Sequence, residues 1–439
     1  MSRAIEIVCR TGVTRRARPL VVLSACAGVT NALIQISEFS LKEDLREALI
    51  IIDQLESRHA RIARDLLKTS AVLELVLGQL HSIWEDLRTI VRGVNLLREL
   101  TPRSRDQFQS VGERTSSLVF HAALAERLKK RSIPVHNYDA REHFVTDREF
   151  TAARPDLPEI GRRMKKLRRQ LREGAVGVTQ GFIGTTPDGH VTTIGRGGSD
   201  FSAAIQGVAI GASEIQIWTD VAGIMTCDPR IVSSVQTIDR VSFNDASELA
   251  FFGAKVLHPE TIWPAVEKGI PVRVLSSKEP EKAGTVILGS VKSDHPITGI
   301  AIKRNIALVK ISSLSALPDA NVQQSVWDVL AEQSAVPLAV SLSVDSAVYA
   351  LEDTKLVPQF RAMFDSIARI DVETGSTLIT LVGPGLKSHA GIAARIFKAL
   401  GNTNCSMISY GGSETGVSFA VDEGVVNRVI RRLHKEFFE

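Results

Sequence analysis

Cysteine is scarce in this chain: four in 439 residues, at positions 9, 26, 227 and 405. They are too far apart for a zinc ligand set and read as reduced thiols of a cytoplasmic protein. The ten histidines are scattered, so no metal site is expected. No apolar run is long enough to span a bilayer, and the first residues lack the apolar core of a signal peptide. The formal charge of +4 is small for this length and makes no case for nucleic acid. What remains, 44% apolar and 23% charged residues, is ordinary for a globular protein long enough for two or more domains.

One stretch is basic. Residues 161–172 carry Arg162, Arg163, Lys165, Lys166, Arg168, Arg169 and Arg172. Nucleic-acid recognition would call for interleaved aromatics and a second basic face, and neither is present. Met164, Leu167 and Leu171 fall on one helical stripe, so the stretch reads as a solvated helix.

Periodicity organises the rest. Residues 20–24 read as a buried strand and 28–31 as the turn into a helix. From 41 to 67, apolar residues recur at three- and four-residue intervals, which predicts an amphipathic helix; a second, over 71–91, pairs with it. Residues 271–275 read as a strand, and 276–295, rich in Lys, Glu, Gly, Ser and Pro, as a linker or edge hairpin. Shorter elements follow: strands at 306–312 and 336–343 flank a helix at 322–333. A βαββα pattern runs from 377 to 438. The weak internal repeat suggests two small ferredoxin-like modules.

The most informative segment is Thr-Ile-Gly-Arg-Gly-Gly-Ser-Asp, residues 193–200. It is a glycine-rich turn holding one arginine, one hydroxyl and one carboxylate. A strand-like run precedes it, and a helix over 201–211 and a strand over 214–220 follow. Strand, turn, helix and strand form the usual frame for an anion site in an α/β sheet, with the helix's positive end aimed at the ligand. Arg196 adds a planar fork suited to a carboxylate or phosphate.

Further blocks extend the pattern: Trp-Thr-Asp-Val at 218–221, Met-Thr-Cys-Asp-Pro-Arg at 225–230 and Ala-Lys-Val-Leu-His-Pro at 254–259. Upstream lie Val-Val-Leu-Ser-Ala-Cys-Ala-Gly-Val-Thr-Asn at 21–31, Glu-Leu-Thr-Pro-Arg-Ser-Arg-Asp at 99–106 and Ser-Val-Gly-Glu at 110–113. Together, in this order, they resemble the aspartate kinase family of the amino-acid kinase superfamily. Gly-Pro-Gly at 383–385 and Met-Ile-Ser-Tyr-Gly at 407–411 resemble that family's second ACT module. One element departs: the family's opening Lys-Phe-Gly-Gly strand, which holds nucleotide phosphates, occurs nowhere, and residues 1–8 resemble the helix after it. Val111 stands where the family usually has Phe.

The resemblance implies an α/β fold with three αβα layers and a mostly parallel sheet. Its kinase domain would span 1–290, and a regulatory region 291–439 would hold two ACT modules. The first of these would cover about 312–372, inserted in a second made of 296–311 and 373–439. The implied reaction transfers the γ-phosphoryl group of ATP, with Mg2+, to the β-carboxylate of L-aspartate. Arg196 would clamp the substrate α-carboxylate and Glu113 would meet its ammonium group, with Asp200 assisting. Thr30 and Ser199 would offer hydroxyls, and Gly197 and Gly198 backbone amides. Thr219 and Asp220 would contact adenosine, Arg230 the phosphates, and Lys255 with Val256 the adenine or phosphate edge. The family commonly has Tyr at Met225. A homodimer through the ACT modules and an end-product effector, lysine or threonine, are also implied.

Read without the resemblance, each residue has a plainer role. Glu113 could be a cap or a salt-bridged carboxylate, Arg196 could stabilise its own loop, and Asp220 and Thr30 could be caps. Asp228 and Pro229 read as a turn, and His258 as structural. Two other functions stay open at this stage: a regulatory subunit that lost catalysis with the phosphate strand, and a kinase for glutamate, acetylglutamate or UMP.

Overall fold

Two long helices and the two beside them make the first large core. In the computed structural model, which describes residues 1–13, 18–42, 44–195, 197–254, 259–292, 295–313, 320–333, 335–352, 356–364 and 368–439, the chain divides into two compact units. The first comprises Met1–Trp218, Glu260–Val272 and Ser277–Pro280. The second comprises Thr219–Pro259, Arg273–Ser276 and Glu281–Glu439.

The first unit opens with α1 (Ser2–Ile7), β1 (Leu20–Leu23) and α2 (Val29–Leu41), followed by α3 (Leu45–Leu66), α4 (Ser70–Leu97) and α5 (Pro102–Lys129). Asp44 caps α3 by accepting the Glu47 N–H. Thr101 caps α5, where Pro102 supplies a pre-set first turn. Ile52 and Leu55 of α3 meet Leu80, Trp84, Leu87 and Val91 of α4, all buried. Arg88 of α4 pairs with Asp53 and Glu56 of α3 at 2.5 and 2.6 Å, closing the same seam.

Next come β2 (Val135–Tyr138), α6 (Ala140–His143), α7 (Leu157–Arg163) and α8 (Lys165–Arg172). They are followed by β3 (Val176–Gln180), β4 (Ile183–Thr185), β5 (Val191–Thr193), α9 (Gly198–Ile210) and β6 (Ile215–Thr219). β1, β3 and β2 form a parallel sheet in that order, and β4 and β5 an antiparallel hairpin.

Three expectations change here. Residues 20–23 are only half-buried, because β1 is the outer strand; the central β3 is buried throughout. The strand before the glycine turn, β5, pairs in the hairpin, so the anion frame is not a simple parallel βαβ unit. The basic stretch 161–172 spans the end of α7 and all of α8, which meet at Met164. Glu159 takes the charge of Arg162 and Arg163, while Ile160, Met164, Leu167 and Leu171 face a buried core.

The second unit contains β7 (Arg240–Ser242) and α10 (Phe243–Phe251), then, after α11 (Trp263–Glu267) of the first unit, β8 (Val272–Ser276) and β9 (Thr285–Leu288). β9 lies between β8 and β7, so part of the expected linker 276–295 is an internal strand. The remainder is β10 (Gly299–Ser313), α12 (Ala320–Glu332), β11 (Ala339–Leu342), β12 (Ser346–Leu351), α13 (Val357–Phe364) and β13 (Ala368–Val382). It closes with α14 (Ile392–Leu400), β14 (Met407–Tyr410), β15 (Gly416–Asp422) and α15 (Val426–Phe438).

Six strands form one antiparallel sheet in the order β11-β12-β10-β13-β15-β14. The 15-residue strands β10 and β13 each run through both halves of the sheet; α12, β11, β12 and α13, which lie between them in the chain, belong to one half, and α14, β14, β15 and α15 to the other. A register shift at Lys303–Ala307, where Asn305 takes φ 58°, separates the two halves. Each half has its own core: Phe360, Phe364 and Tyr349 in one, Phe419, Ile379 and Val429 in the other. No helix among the described residues is long and apolar enough to cross a membrane.

Gly383, at the end of β13, has no room for a side chain: a Cβ there would lie 2.1 Å from the Pro296 carbonyl oxygen. Gly383→Ala is expected to destabilise the second unit by roughly 1–3 kcal/mol in urea unfolding, whereas Gly412→Ala, with open space around it, should leave the midpoint unchanged.

Candidate functional site

The site in the first unit is assembled by α5. Its residues Asp106 and Glu113, seven apart, fall on one helical face. Asp106 is fully buried and accepts three kinds of donor: the Thr193 N–H at 3.0 Å, the Thr193 hydroxyl at 2.7 Å and the Thr151 N–H at 3.0 Å. These bonds hold the end of β5, and so the start of the glycine turn, against the helix. Burial raises the Asp106 carboxyl above its usual range, and the donors from Thr193 and Thr151 pull it back part of the way.

Two turns further along α5, Gly112 lets the loop after β1 approach; a Cβ on it would stand 2.7 Å from the Ala25 methyl. The Ser116 hydroxyl donates to the Ser24 carbonyl at 2.8 Å, and the Ala25 N–H donates to Glu113 Oε1 at 3.1 Å. Glu113 is 3% exposed, and its Oε2 is buried with no hydrogen-bond partner. Burial pushes this carboxyl up to about 7, against the opposing pull of the Ala25 N–H. The same loop leads into α2, whose second residue is the half-buried Thr30.

The glycine turn comes back to the same strands. Gly195 and Gly197 both sit in the left-handed region, at φ 79° and 72°, where a side chain would be strained. Gly197 caps α9, and Gly198, Ser199 and Asp200 form its first turn. The Gly181 N–H donates to the Leu23 carbonyl at 2.9 Å, and a Cβ on Gly181 would lie 2.9 Å from Ser199 Cα. The ends of β1 and β3 and the start of α9 therefore converge, with the α9 N-terminus supplying a positive pole. Burial alone lifts Asp200 to about 6.

The predicted residues thus separate into groups. Glu113, Gly197, Gly198, Ser199 and Asp200, with Thr30 on the adjoining loop, belong to this locality of the first unit. Thr219, Asp220, Met225 and Arg230 belong to the second unit. Arg230 is exposed and bound bidentately to Asp228 two residues away, at 2.6 and 3.0 Å. Met225 is half-buried and bridges to Thr237. Arg196, Lys255, Val256 and His258 lie outside the described residues.

Sequence reasoning missed Asp106 and the Gly181–Phe182 turn. Phe182 adopts φ 64°, rare for a residue with a bulky side chain. Its N–H donates to the Ser202 hydroxyl oxygen at 2.9 Å, and its ring would touch any Cβ placed on Gly198. Asp106 closes a block already singled out, yet nothing local marks it as a buried acceptor.

The chain matches the family model for the amino acid kinase family over residues 1–276 and one for an ACT domain over residues 379–437. It is 34% identical to the lysine-sensitive aspartokinase 3 of Escherichia coli (strain K12), covering 100% of this chain and 96% of that protein. It is 32% identical to the chloroplastic aspartokinase 1 of Arabidopsis thaliana, covering 96% and 75%. Among solved structures it is similar to E. coli aspartokinase III in complex with lysine and aspartate in the T-state, with TM-score 0.85 and 32% identity. The same enzyme with aspartate and ADP in the R-state gives TM-score 0.79, and both alignments cover 100% of this chain and 96% of the other.

Asp106→Asn would turn an –NH2 group toward donors and is expected to cost about 2–3 kcal/mol in denaturant unfolding. Glu113 makes a second, pH-dependent test. Its carboxyl binds a proton more tightly folded (about 7) than unfolded (4.5). Between those values the folded state holds more protons, so stability falls as pH rises through the window. Relative to wild type, Glu113→Gln should gain about 3 kcal/mol from pH 4 to pH 7.5; parallel stability curves would contradict the assignment.

Proposed function

This chain belongs to the amino acid kinase family, and on that premise we propose that it is an aspartate kinase, forming 4-phospho-L-aspartate from L-aspartate and ATP. The observation that carries this reading is Glu113: a buried carboxylate with one oxygen committed to a backbone N–H and the other without a partner. Such a group invites a cation. The α-ammonium of an amino acid meets that need and would return the carboxylate to its charged form.

The attacking β-carboxylate is already ionised at neutral pH, so no general base is needed. The protein supplies alignment and neutralisation of charge. In this reading Arg196 holds the α-carboxylate, Thr30 and Ser199 orient the β-carboxylate, and Gly197 and Gly198 let amides approach. Asp200, lifted by burial, supports the ammonium side. Thr219, Asp220, Met225, Arg230, Lys255 and Val256 serve the nucleotide, with Arg230 exchanging Asp228 for phosphate oxygens. Among the described residues no cluster of His, Cys, Asp or Glu could hold a metal. Mg2+, implied by the nucleotide chemistry, would accompany the phosphates and shield their charge.

The regulatory-subunit alternative is weaker, because the relatives that match along the whole chain are named as aspartokinases. The lysine-sensitive relative and the lysine-bound neighbour support lysine as the end-product effector of the ACT pair. We further propose a homodimer formed through that pair, in a cytoplasmic setting.

Aspartate-dependent ADP release is expected, with hydroxylamine trapping the acyl phosphate as a hydroxamate. Preference for glutamate or acetylglutamate would overturn the assignment. Glu113→Gln should raise the KM for aspartate at least about thirtyfold while leaving that for ATP nearly unchanged.

A further inference from the structure

About a quarter-turn round α5 from Asp106 and Glu113, the residues Arg103, Gln107 and Arg114 share another face of the helix. That face borders an open cavity of about 940 Å³ lined by residues of α4, the start of α5, Arg141 and Phe150. Its lining includes three arginines and a single acid, Asp86.

The arginines differ in how they are satisfied. Arg141 is held by Asp139 through contacts of 2.5 and 3.0 Å. Arg103 and Arg114 have no hydrogen-bond or ion-pair partner among the described residues. Arg103 is exposed, while Arg114 is half-buried. Burial and the like charge of Arg141 draw the Arg114 guanidinium below its usual value, despite Asp139 and Asp86 nearby. A desolvated cation is tolerated poorly unless something supplies its counter-charge. The lining also includes Ile90 and Phe150, backed by the fully buried Leu87, and the hydroxyls of Thr89 and Ser104. The volume falls within the range of small-molecule sites.

We propose that this cavity binds a small organic anion, its oxyanion group held by Arg103 and Arg114 and its apolar portion lying against Ile90 and Phe150. The shared chemistry, an oxyanion with an apolar tail, fits either a carboxylate or a phosphate monoester. The proposal does not depend on which reaction the enzyme catalyses.

The test is calorimetric titration of the full chain with phenylacetate, phenylphosphate and benzyl alcohol at matched ionic strength. Saturating aspartate and MgADP are present throughout, to keep the probes out of the substrate site. At least one anionic probe is expected to bind with Kd of about 1 mM or tighter, and the one that binds more tightly identifies carboxylate or phosphate. Arg103→Ala and Arg114→Met should each weaken that binding at least about tenfold, with Arg114→Lys recovering part of the loss. Arg103 is exposed, so its variant is informative even if Arg114→Met fails to fold. The proposal is overturned if neither anion binds more tightly than benzyl alcohol, or if Arg103→Ala leaves affinity unchanged. Displacement of the bound probe by raising aspartate or MgADP would overturn it as well.

Discussion

The buried carboxylate of Asp106 is the constraint from which the first unit's site follows. An ionised carboxylate deep in a protein is costly unless donors surround it. Here the donors come from two segments remote in sequence, Thr151 and Thr193. The need to satisfy one acid therefore fixes α5 against the end of β5 and the loop around residue 151. The glycine turn that begins two residues after Thr193 inherits its starting point from that contact. Its left-handed glycines then decide where Ser199 and Asp200 emerge on α9.

Three acids in this region, two buried and Asp200 half-buried, behave differently because their donors differ. Asp106 has a full set of donors, consistent with a structural role. Glu113 has one, and an orphaned oxygen; Asp200 is lifted by burial with nothing opposing it. The latter two hold their protons well above the normal range. A site prepared this way gains most when a cationic group arrives, because the ligand brings the charge that the fold withholds. On the proposed reading, the burial that raises the Glu113 carboxyl is also what would favour an ammonium group beside it.

Much of this was legible in the chain. Apolar spacing located α3, α4 and α15, and the ordered glycine and charged motifs located the neighbourhood of Glu113 and Ser199. The weak internal repeat pointed to two small modules, and the family resemblance alone implied that one is inserted in the other. Features set by long-range pairing were less visible. β1 looks like a buried strand but is an edge, and β9 hides in a stretch whose Gly, Ser and Lys content suggests a linker. Asp106 and Phe182 are unremarkable locally; their meaning lies in partners 45 to 87 residues away, or in a backbone angle that composition does not encode.

The composition of the second unit bears on how a regulatory signal would travel. Residues 219–259, which carry Met225 and Arg230, pack with the antiparallel sheet. Cys227, Ile231 and Val232 share a core with Ile379 of β13, Phe419 of β15 and Val429 of α15. The Thr226 carbonyl accepts the Ile300 N–H at 2.8 Å, and its hydroxyl meets the buried His434 ring at 3.1 Å. On α10, Glu248 accepts the hydroxyls of Ser413 and Thr415 beside the start of β15. Allosteric coupling requires an element with two arrangements that both sites bias. A packed core resists graded deformation, so a shift of the module has to be met by the segment that shares its interior. On the proposed assignment of Met225 and Arg230 to the nucleotide, the segment that carries them would therefore be the part of the site that an effector bound to the sheet reaches within its own unit.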